Sequence, residues 1–196
     1  MKKILFIFLL LNIPFILFSQ DYNQNKKAYR SNYLSTDFLS LLNSFISSER
    51  TIYLTGEMCV DHSIGFRINI FHIRDHSTGY IRNAIGAGPE IRLYMMDEDC
   101  SAFHLGAYLN FEEGRITKRE ILTSKVLMDY NESILETGLS GGYKIVFKNH
   151  WVLNPAAYAG ISNRYNKQIL TETDNSFYYT ESDLMLRVAL EVGYKF

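Results

Sequence analysis

The sequence predicts an all-β fold, an eight-stranded antiparallel up-and-down transmembrane β-barrel. Three observations support this prediction: the last eleven residues alternate between apolar and small or charged side chains, eight such segments recur along the chain, and short and long connections alternate between them. Side chains on a strand point alternately to the two faces of the sheet, so each segment has one apolar and one polar face. Such strands suit a barrel with lipid outside and a polar interior.

Residues 1–20 are predicted to be a secretory signal peptide. Lys2 and Lys3 precede an apolar run from Ile4 to Phe18, and the chain becomes polar after Gln20. The run is shorter than the roughly 20 residues that a spanning helix needs, which disfavours a retained anchor. Residues 21–32 are then a short N-terminal segment, and residues 33–196 are the barrel.

Composition excludes one class of partner. The chain carries 20 basic and 21 acidic residues, a net charge of -1, which gives no reason to expect binding to nucleic acid. Aromatic residues make up 14% of the chain, and this suits a barrel whose interfacial girdles are aromatic.

The first predicted strand, residues 33–42, is ambiguous. The apolar residues between 34 and 46 also recur at helical spacing after the capping sequence Ser35-Thr36-Asp37. Both a strand and a short helix therefore remain open for residues 34–46.

The other seven strands are predicted at residues 51–60, 63–73, 85–96, 101–112, 133–147, 151–162 and 184–196. Strands four and seven contain Pro89 and Pro155, and each proline removes a ladder hydrogen bond. A bulge or a rim position is expected at both. The connections after strands two, four and six are short, whereas residues 113–132 and 163–183 are expected to form two long outer loops.

Charged residues recur on the predicted inner faces. The interior of an eight-stranded barrel is just wide enough for side chains to fill, and a buried charge without a partner costs several kcal/mol. We therefore expect a plugged lumen with a charge network composed of Glu57, Arg67, Glu90, Arg92, Glu136, Lys144, Arg187, Glu191 and Lys195.

Two segments carry a resemblance to a known family. The chain resembles small bacterial outer-membrane β-barrel proteins of the OmpA/OmpX-like kind, through the signal peptide, the eight-strand rhythm, Gly88-Pro89-Glu90-Ile91-Arg92-Leu93-Tyr94 and Val192-Gly193-Tyr194-Lys195-Phe196. The resemblance implies location in the outer membrane, contact with its lipid, and recognition by the barrel-assembly machinery. The assembly signal would lie at Val192, Tyr194 and Phe196.

Some small barrels of this kind modify lipid A at the outer rim with a His and a Ser. Asp75-His76-Ser77 lie in a comparable place, but His76 and Ser77 are adjacent, so on an extended chain they point apart. No catalytic residue, cofactor or metal site is therefore predicted. A narrow channel and a rim enzyme remain alternatives to a structural or surface-interaction role.

Two further expectations concern the ends of the barrel. Arg115, Lys118, Arg119 and Lys125 suggest contact with lipopolysaccharide, although neighbouring acidic residues offset their charge. Cys59 and Cys100 are separated by two strands along the wall, so two free thiols are expected rather than a bridge across the barrel mouth.

Overall fold

The computed structural model describes residues 32–61, 63–95, 102–119, 126–148, 150–169 and 176–196. Its elements are β1 (Asn32–Asp37), α1 (Phe38–Ile46), β2 (Glu49–Asp61), β3 (Ile64–Ser77), β4 (Tyr80–Met95), β5 (Ala102–Arg119), β6 (Val126–Phe147), β7 (Trp151–Ile169) and β8 (Ser176–Lys195). The strands pair in chain order, and β1 pairs with β8 to close the ring. The predicted eight-stranded antiparallel barrel is confirmed. The predicted signal peptide and residues 21–31 lie outside the described residues.

Burial alternates along the wall of the barrel. On β4, every second residue from Ala84 to Tyr94 is buried, and the residues between them are exposed. The outer face is apolar, with Ile85, Leu139 and Leu186 all more than half exposed. Below, the end of the barrel that carries Met95, Phe147 and Lys195 is called the turn end, and the opposite end is called the hairpin end.

The first strand is shorter than predicted. It ends at Asp37, and helix α1 follows without a gap, so the prediction of a strand over residues 33–42 is wrong beyond Asp37. The carboxylate of Asp37 accepts hydrogen bonds from Leu39 N at 3.1 Å and from Ser40 Oγ at 2.6 Å. This side chain caps the helix, and the helical spacing of the following apolar residues prevails over strand pairing.

Helix α1 occupies the position where a full-length β1 would have continued toward the hairpin end. Side chains of β1 and α1 form hydrogen bonds with backbone groups on the free edges of β2 and β8. Ser44 Oγ accepts from Thr51 N at 2.8 Å, Thr36 Oγ1 donates to Tyr53 O at 2.6 Å, and Leu190 N donates to Asp37 Oδ1 at 3.2 Å. An unpaired strand edge is costly where water is absent, so these contacts close the seam between β2 and β8.

The prediction of two long outer loops is wrong. β5 continues to Arg119 and β6 begins at Val126, while β7 continues to Ile169 and β8 begins at Ser176. Both predicted loops are therefore mostly strand. In the first of them, Ile116 and Tyr130 are buried on the inner face. With polar residues on both faces in most positions, these stretches lack the apolar alternation that indicates a strand in the sequence.

The connection between β3 and β4 is also shorter than expected. The predicted strands leave residues 74–84 as a connection, but only Thr78 and Gly79 form the turn. Gly79 has φ 77°, the left-handed region that favours glycine in a two-residue hairpin.

Neither proline is accommodated as expected. Pro89 and Pro155 lie in the middle of the outer face, and the described pairings show no register shift at either position. Pairing is interrupted on one side only, since β4 skips β5 at residues 88–89 and β7 skips β6 at residues 154–155. The predicted bulge or rim position is therefore wrong, because the missing N–H affects only one neighbouring strand.

Cys59 is buried on the inner face at the turn end and is disulfide-bonded. The expectation of a free thiol is therefore wrong for Cys59, while Cys100, the other cysteine of the chain, lies outside the described residues. The expectation assumed that the barrel mouth was too wide to bridge. The ring is in fact narrow enough for Arg67 on β3 to reach Glu191 on β8 at 2.7 Å.

We expect Asp37→Ala to lower the free energy of unfolding by about 1–2 kcal/mol, because the helix loses its cap and Leu190 N loses its acceptor. Asp37→Asn keeps a side-chain oxygen and should lose less. Urea unfolding of the two variants in the same detergent micelles measures the difference. Equal losses would contradict a capping role for this oxygen.

Candidate functional site

The most densely charged region of the barrel is its lumen, at the level of the middle of β4. The cross-strand register places Glu57, Arg67 and Glu90 side by side on β2, β3 and β4. Arg92, Lys144 and Glu191 reach the same region from β4, β6 and β8. The structure thus brings together six of the nine residues predicted for the lumen.

Glu191 receives donors from several directions. Arg67 Nη1 lies 2.7 Å from Glu191 Oε1 and Arg92 Nη2 lies 3.5 Å from the same oxygen. Tyr158 Oη donates to Glu191 Oε1 at 2.7 Å, and Asn154 Nδ2 donates to Oε2 at 2.7 Å. The carboxylate is therefore held by two cations and two neutral donors, as a buried charge requires.

The other two carboxylates are also paired. Lys144 Nζ and the hydroxyl of Tyr94 each donate to Glu57 Oε1 at 2.5 Å. Glu90 Oε1 accepts from Arg92 Nε at 2.7 Å and from Ser140 Oγ at 2.6 Å. Lys144 also lies over the ring of Tyr33, 4.1 Å from its centroid, so it has both an anionic and an aromatic partner.

The six residues form what we call the lumen network: Glu57, Arg67, Glu90, Arg92, Lys144 and Glu191. Its three carboxylates and three cations balance in sign. Arg92 is 0% and Glu90 is 1% exposed, so solvent does not reach these charges. Burial of this kind is tolerated because each charge has a partner of the opposite sign within 4.0 Å.

Three predicted residues lie outside the lumen network. Arg187 is on the inner face but stacks between the rings of Tyr53 and Tyr158, with centroid distances of 4.5 and 4.3 Å. Glu136 is half-buried on the inner face, and no salt bridge among the described residues reaches it. Lys195 is half-buried at the turn end.

A second charged cluster near the hairpin end was not predicted. Arg82 Nη2 lies 2.5 Å from Glu112 Oε1 and 3.0 Å from Glu132 Oε2, while Arg164 Nε lies 3.0 Å from Glu132 Oε1. Three of these residues fall in predicted connections. Alternation between inward-facing and outward-facing residues could have revealed them. On β4 this alternation continues without a break from Tyr94 to Arg82.

The lumen network also has neutral partners that were not predicted from the sequence. Tyr158 and Asn154 on β7 both donate to Glu191, and His104 Nε2 lies 3.0 Å from Asn154 Oδ1. Pro155 obscures the two faces of this strand in the sequence. The inner parity of β7, which includes Val152, Asn154 and Tyr158, is the signal that could have shown these side chains.

The predicted assembly residues lie on the outer face at the turn end. Tyr194 and Phe196 are exposed, while Val192 is half-buried on the same face. Tyr194 stacks on His150 at 5.4 Å and meets the edge of Trp151 at 5.8 Å. The closing strand therefore ends in an aromatic patch.

The Asp75-His76-Ser77 segment does not bring its three side chains to one face. It lies on β3, where neighbouring side chains alternate between faces, so His76 projects away from Asp75 and Ser77.

Within the part of the chain that the structure describes, no group of three His, Cys, Asp or Glu side chains could hold a metal ion. Among the same residues, no helix is long and apolar enough to cross a membrane.

Three basic residues of the predicted loop 113–132, Arg115, Lys118 and Arg119, lie instead on β5. Arg115 donates to both carboxylate oxygens of Asp129, and these hydrogen bonds lower the pKa of Asp129 below its ordinary value. Lys118 lies 6.0 Å from the ring centroid of Tyr130. Lys125 is outside the described residues.

Comparisons with known proteins place the chain in a family and retrieve distant barrels. A family model described as "Protein of unknown function (DUF3575)" matches residues 6–189. A search of curated proteins found no match.

Three solved structures are similar in outline. The N-terminal β-barrel domain of Pseudomonas aeruginosa OprF is 8% identical, with a TM-score of 0.40 over 86% of this chain and 98% of that one. A major outer membrane protein from Thermus thermophilus is 13% identical, with a TM-score of 0.44 over 87% of this chain and 100% of that one. The β domain of the Bordetella autotransporter BrkA is 9% identical, with a TM-score of 0.29 over 85% and 97%.

We expect Glu191→Ala to lower the free energy of unfolding by about 3–5 kcal/mol, because it leaves Arg67 and Arg92 buried with too few anionic partners. Glu136→Ala is the matched control, since Glu136 is also an inner-face glutamate but has no salt bridge among the described residues. Denaturant unfolding of both variants in one lipid or detergent measures the contrast. A comparable loss in the two variants would refute the claim that ion pairing, rather than inner-face position, makes Glu191 important.

Proposed function

We propose that this chain, which belongs to the DUF3575 family, is an integral outer-membrane protein with a closed, non-conducting barrel and a structural or surface-interaction role. The observation that carries the proposal is its inverted polarity. Charged side chains such as Arg92 and Glu90 are buried inside the ring, whereas Ile85, Leu139 and Leu186 cover the outside. A soluble protein would leave this large apolar surface in water, where it would drive aggregation.

The height of the apolar surface supports insertion into a bilayer. On β5, the outward residues Phe103, Leu105, Leu109 and Phe111 are all exposed, and the next outward residue is the charged Glu113. The apolar stretch at residues 103–111 has the length of roughly 9–11 residues that a tilted membrane strand needs. We call the outward apolar residues at this height the apolar belt.

Aromatic residues at the turn end support the same placement. Outward-facing aromatic side chains, which favour the boundary between lipid and water, are grouped there: Phe103, Tyr143, Phe147, Trp151, Tyr194 and Phe196. In this proposal they lie at the periplasmic boundary, next to the short turns, and the hairpin end faces outward.

A closed lumen follows from the lumen network. Its side chains extend from β2, β3, β4, β6 and β8, and three of its contacts cross the ring: Arg67 with Glu191, Arg92 with Glu191, and Lys144 with Glu57. Passage of a hydrated ion would require separation of buried ion pairs, and this costs far more than thermal energy. The proposal therefore favours a scaffold over the narrow channel, and a non-enzymatic role over a rim enzyme.

The closing strand supports a proposal about assembly. Phe196 N donates to Asn32 O at 3.0 Å, so the final residue takes part in ring closure while its side chain remains 65% exposed. An exposed aromatic side chain at the seam is accessible to the barrel-assembly machinery before the ring closes. We propose Val192, Tyr194 and Phe196 as that signal.

We expect the purified protein to show no steady conductance in planar bilayers, because an ion would have to separate the ion pairs that cross the lumen. Single-channel recording measures this directly. Arg115→Gln, which changes a charge outside the lumen, is the control. A steady conductance that changes with Glu90→Gln or Arg187→Gln, but not with Arg115→Gln, would overturn the closed barrel in favour of the narrow channel.

We expect deletion of Phe196 to reduce the amount of assembled protein in the outer-membrane fraction, because the closing strand loses its terminal aromatic residue. Gel mobility before and after heating measures assembly, since a closed barrel resists detergent until it is heated. Phe45→Ala is the control, because Phe45 is an exposed phenylalanine outside the closing strand. Normal assembly after the deletion would count against an assembly signal, and a wild-type protein found soluble in the periplasm would end the whole proposal.

A further inference from the structure

A cationic cavity lies on the outer surface at the hairpin end, beside the end of helix α1. It has a volume of about 320 Å³ and is lined by Ser47, Ser48, Arg50, Arg74 and His76. All five residues are exposed. We call it the rim cavity.

The two arginines of the rim cavity lie opposite each other. Arg50 and Arg74 are direct cross-strand neighbours on β2 and β3, and like charges in this position destabilise a sheet. Arg74 Nη2 lies 3.4 Å from His76 Nε2, and since a guanidinium can only donate, His76 offers it an acceptor but no negative charge.

Five other arginines of the barrel are neutralised by carboxylates. Carboxylates lie within 4.0 Å of Arg67, Arg82, Arg92, Arg115 and Arg164. In the described ranges, no carboxylate lies within this distance of Arg50 or Arg74. The rim cavity therefore concentrates positive charge that the described part of the chain does not compensate.

Two acidic residues are close in sequence but lie on the other face. Glu49 and Asp75 are also register partners, one position from Arg50 and Arg74, and side chains alternate along the strands. Both carboxylates accept hydrogen bonds from neighbours, since Ser48 Oγ donates to Asp75 at 3.2 Å and Thr51 Oγ1 donates to Glu49 at 2.9 Å. They reduce the net charge of the region but do not occupy the space between the arginines.

The height of the rim cavity matches the boundary of the apolar belt. Arg50 is two residues beyond the outward-facing Ile52, which is about 7 Å along the strand. Arg74 pairs with Asn83 on β4, and Asn83 pairs with Arg115 on β5, so this row of outward-facing residues across the sheet is polar. At this height a membrane presents its headgroups.

Two exposed apolar residues directly precede the cavity-lining serines in the chain. Phe45 and Ile46, at the end of helix α1, are each 86% exposed and lead directly into Ser47 and Ser48. An aromatic and an aliphatic side chain next to a cationic cavity match a ligand that has an anionic head and an apolar body. A free inorganic anion would leave these two side chains without a partner.

We infer that the rim cavity binds the phosphate group of an outer-leaflet membrane lipid through Arg50 and Arg74, with Phe45 and Ile46 against its apolar part. Arginine presents paired N–H donors that match phosphate oxygens. This inference rests on the proposed insertion into the outer membrane.

The test compares a phosphorylated lipid with its dephosphorylated form. The protein is inserted into nanodiscs of phosphatidylcholine that contain a trace of bis-phosphorylated lipid A or of dephosphorylated lipid A, and native mass spectrometry measures the retained lipid. Wild-type protein should retain the phosphorylated form preferentially. The double variant Arg50→Gln/Arg74→Gln should reduce that retention by roughly tenfold, because it removes the charge-assisted bonds.

Arg115→Gln is the matched control, since Arg115 lies on the same outer row but is already engaged by Asp129. It should retain lipid A as the wild type does. Equal losses in the two variants, or equal retention of both lipid forms by the wild type, would overturn the assignment. Displacement of lipid A by a modest concentration of inorganic phosphate would overturn the choice of a lipid over a free anion.

Gel mobility on heating separates this inference from the proposed function. A double variant that inserts and remains heat-modifiable but retains no phosphorylated lipid supports the rim cavity as the site. A wild-type barrel that inserts and shows no preference refutes the site alone. A wild-type protein that does not insert refutes the proposed function, and the inference fails with it.

Discussion

Charge pairing inside the ring is the constraint on which the rest of this structure depends. Where the outer face is apolar, the charged side chains of a strand point inward. A charge that is buried there needs a partner of opposite sign. The lumen network meets this requirement with side chains from five strands, so that Glu191 on β8 meets Arg67 on β3 across the ring. A shift of one residue in register would turn these charges toward the outer face and the apolar residues inward, so the network also favours a single register.

Helix α1 shows how the ring closes although β1 is much shorter than the other strands. β1 covers residues 191–195 of β8 and residues 55–58 of β2, and beyond it the two neighbouring strands have free edges. Side chains of Asp37 and Ser44 replace the backbone partner that a longer strand would provide. The same Asp37 that ends the strand therefore begins the helix and ties the helix to β8. The cost of this arrangement is a seam held by side-chain hydrogen bonds instead of a continuous ladder.

Sequence alternation was sufficient for the fold and for much of the lumen, because Glu90 and Arg92 lie in a stretch whose other face is uniformly apolar. It failed where both faces are polar, as at Arg82, Glu132 and Arg164, since a pattern of charges on both sides is also typical of a loop. It could not distinguish Glu191 from Glu136, which share the inner face. Their difference depends on which side chains the register brings from opposite walls, and no property of a single strand contains that information.

Arginine has three distinct settings in this barrel, and together they indicate where binding energy is available. Arg92 is buried among carboxylates, and Arg187 is enclosed between two tyrosine rings. Both side chains lie on the inner face with partners from the chain, and neither faces the outer surface of the barrel. Arg50 and Arg74 oppose each other on the outer surface without a counter-charge among the described residues, and an anion from outside the chain would relieve the repulsion between them. Among the described residues, the rim cavity is therefore a part of the outer surface where the positive charge of two opposed arginines has no carboxylate within 4.0 Å.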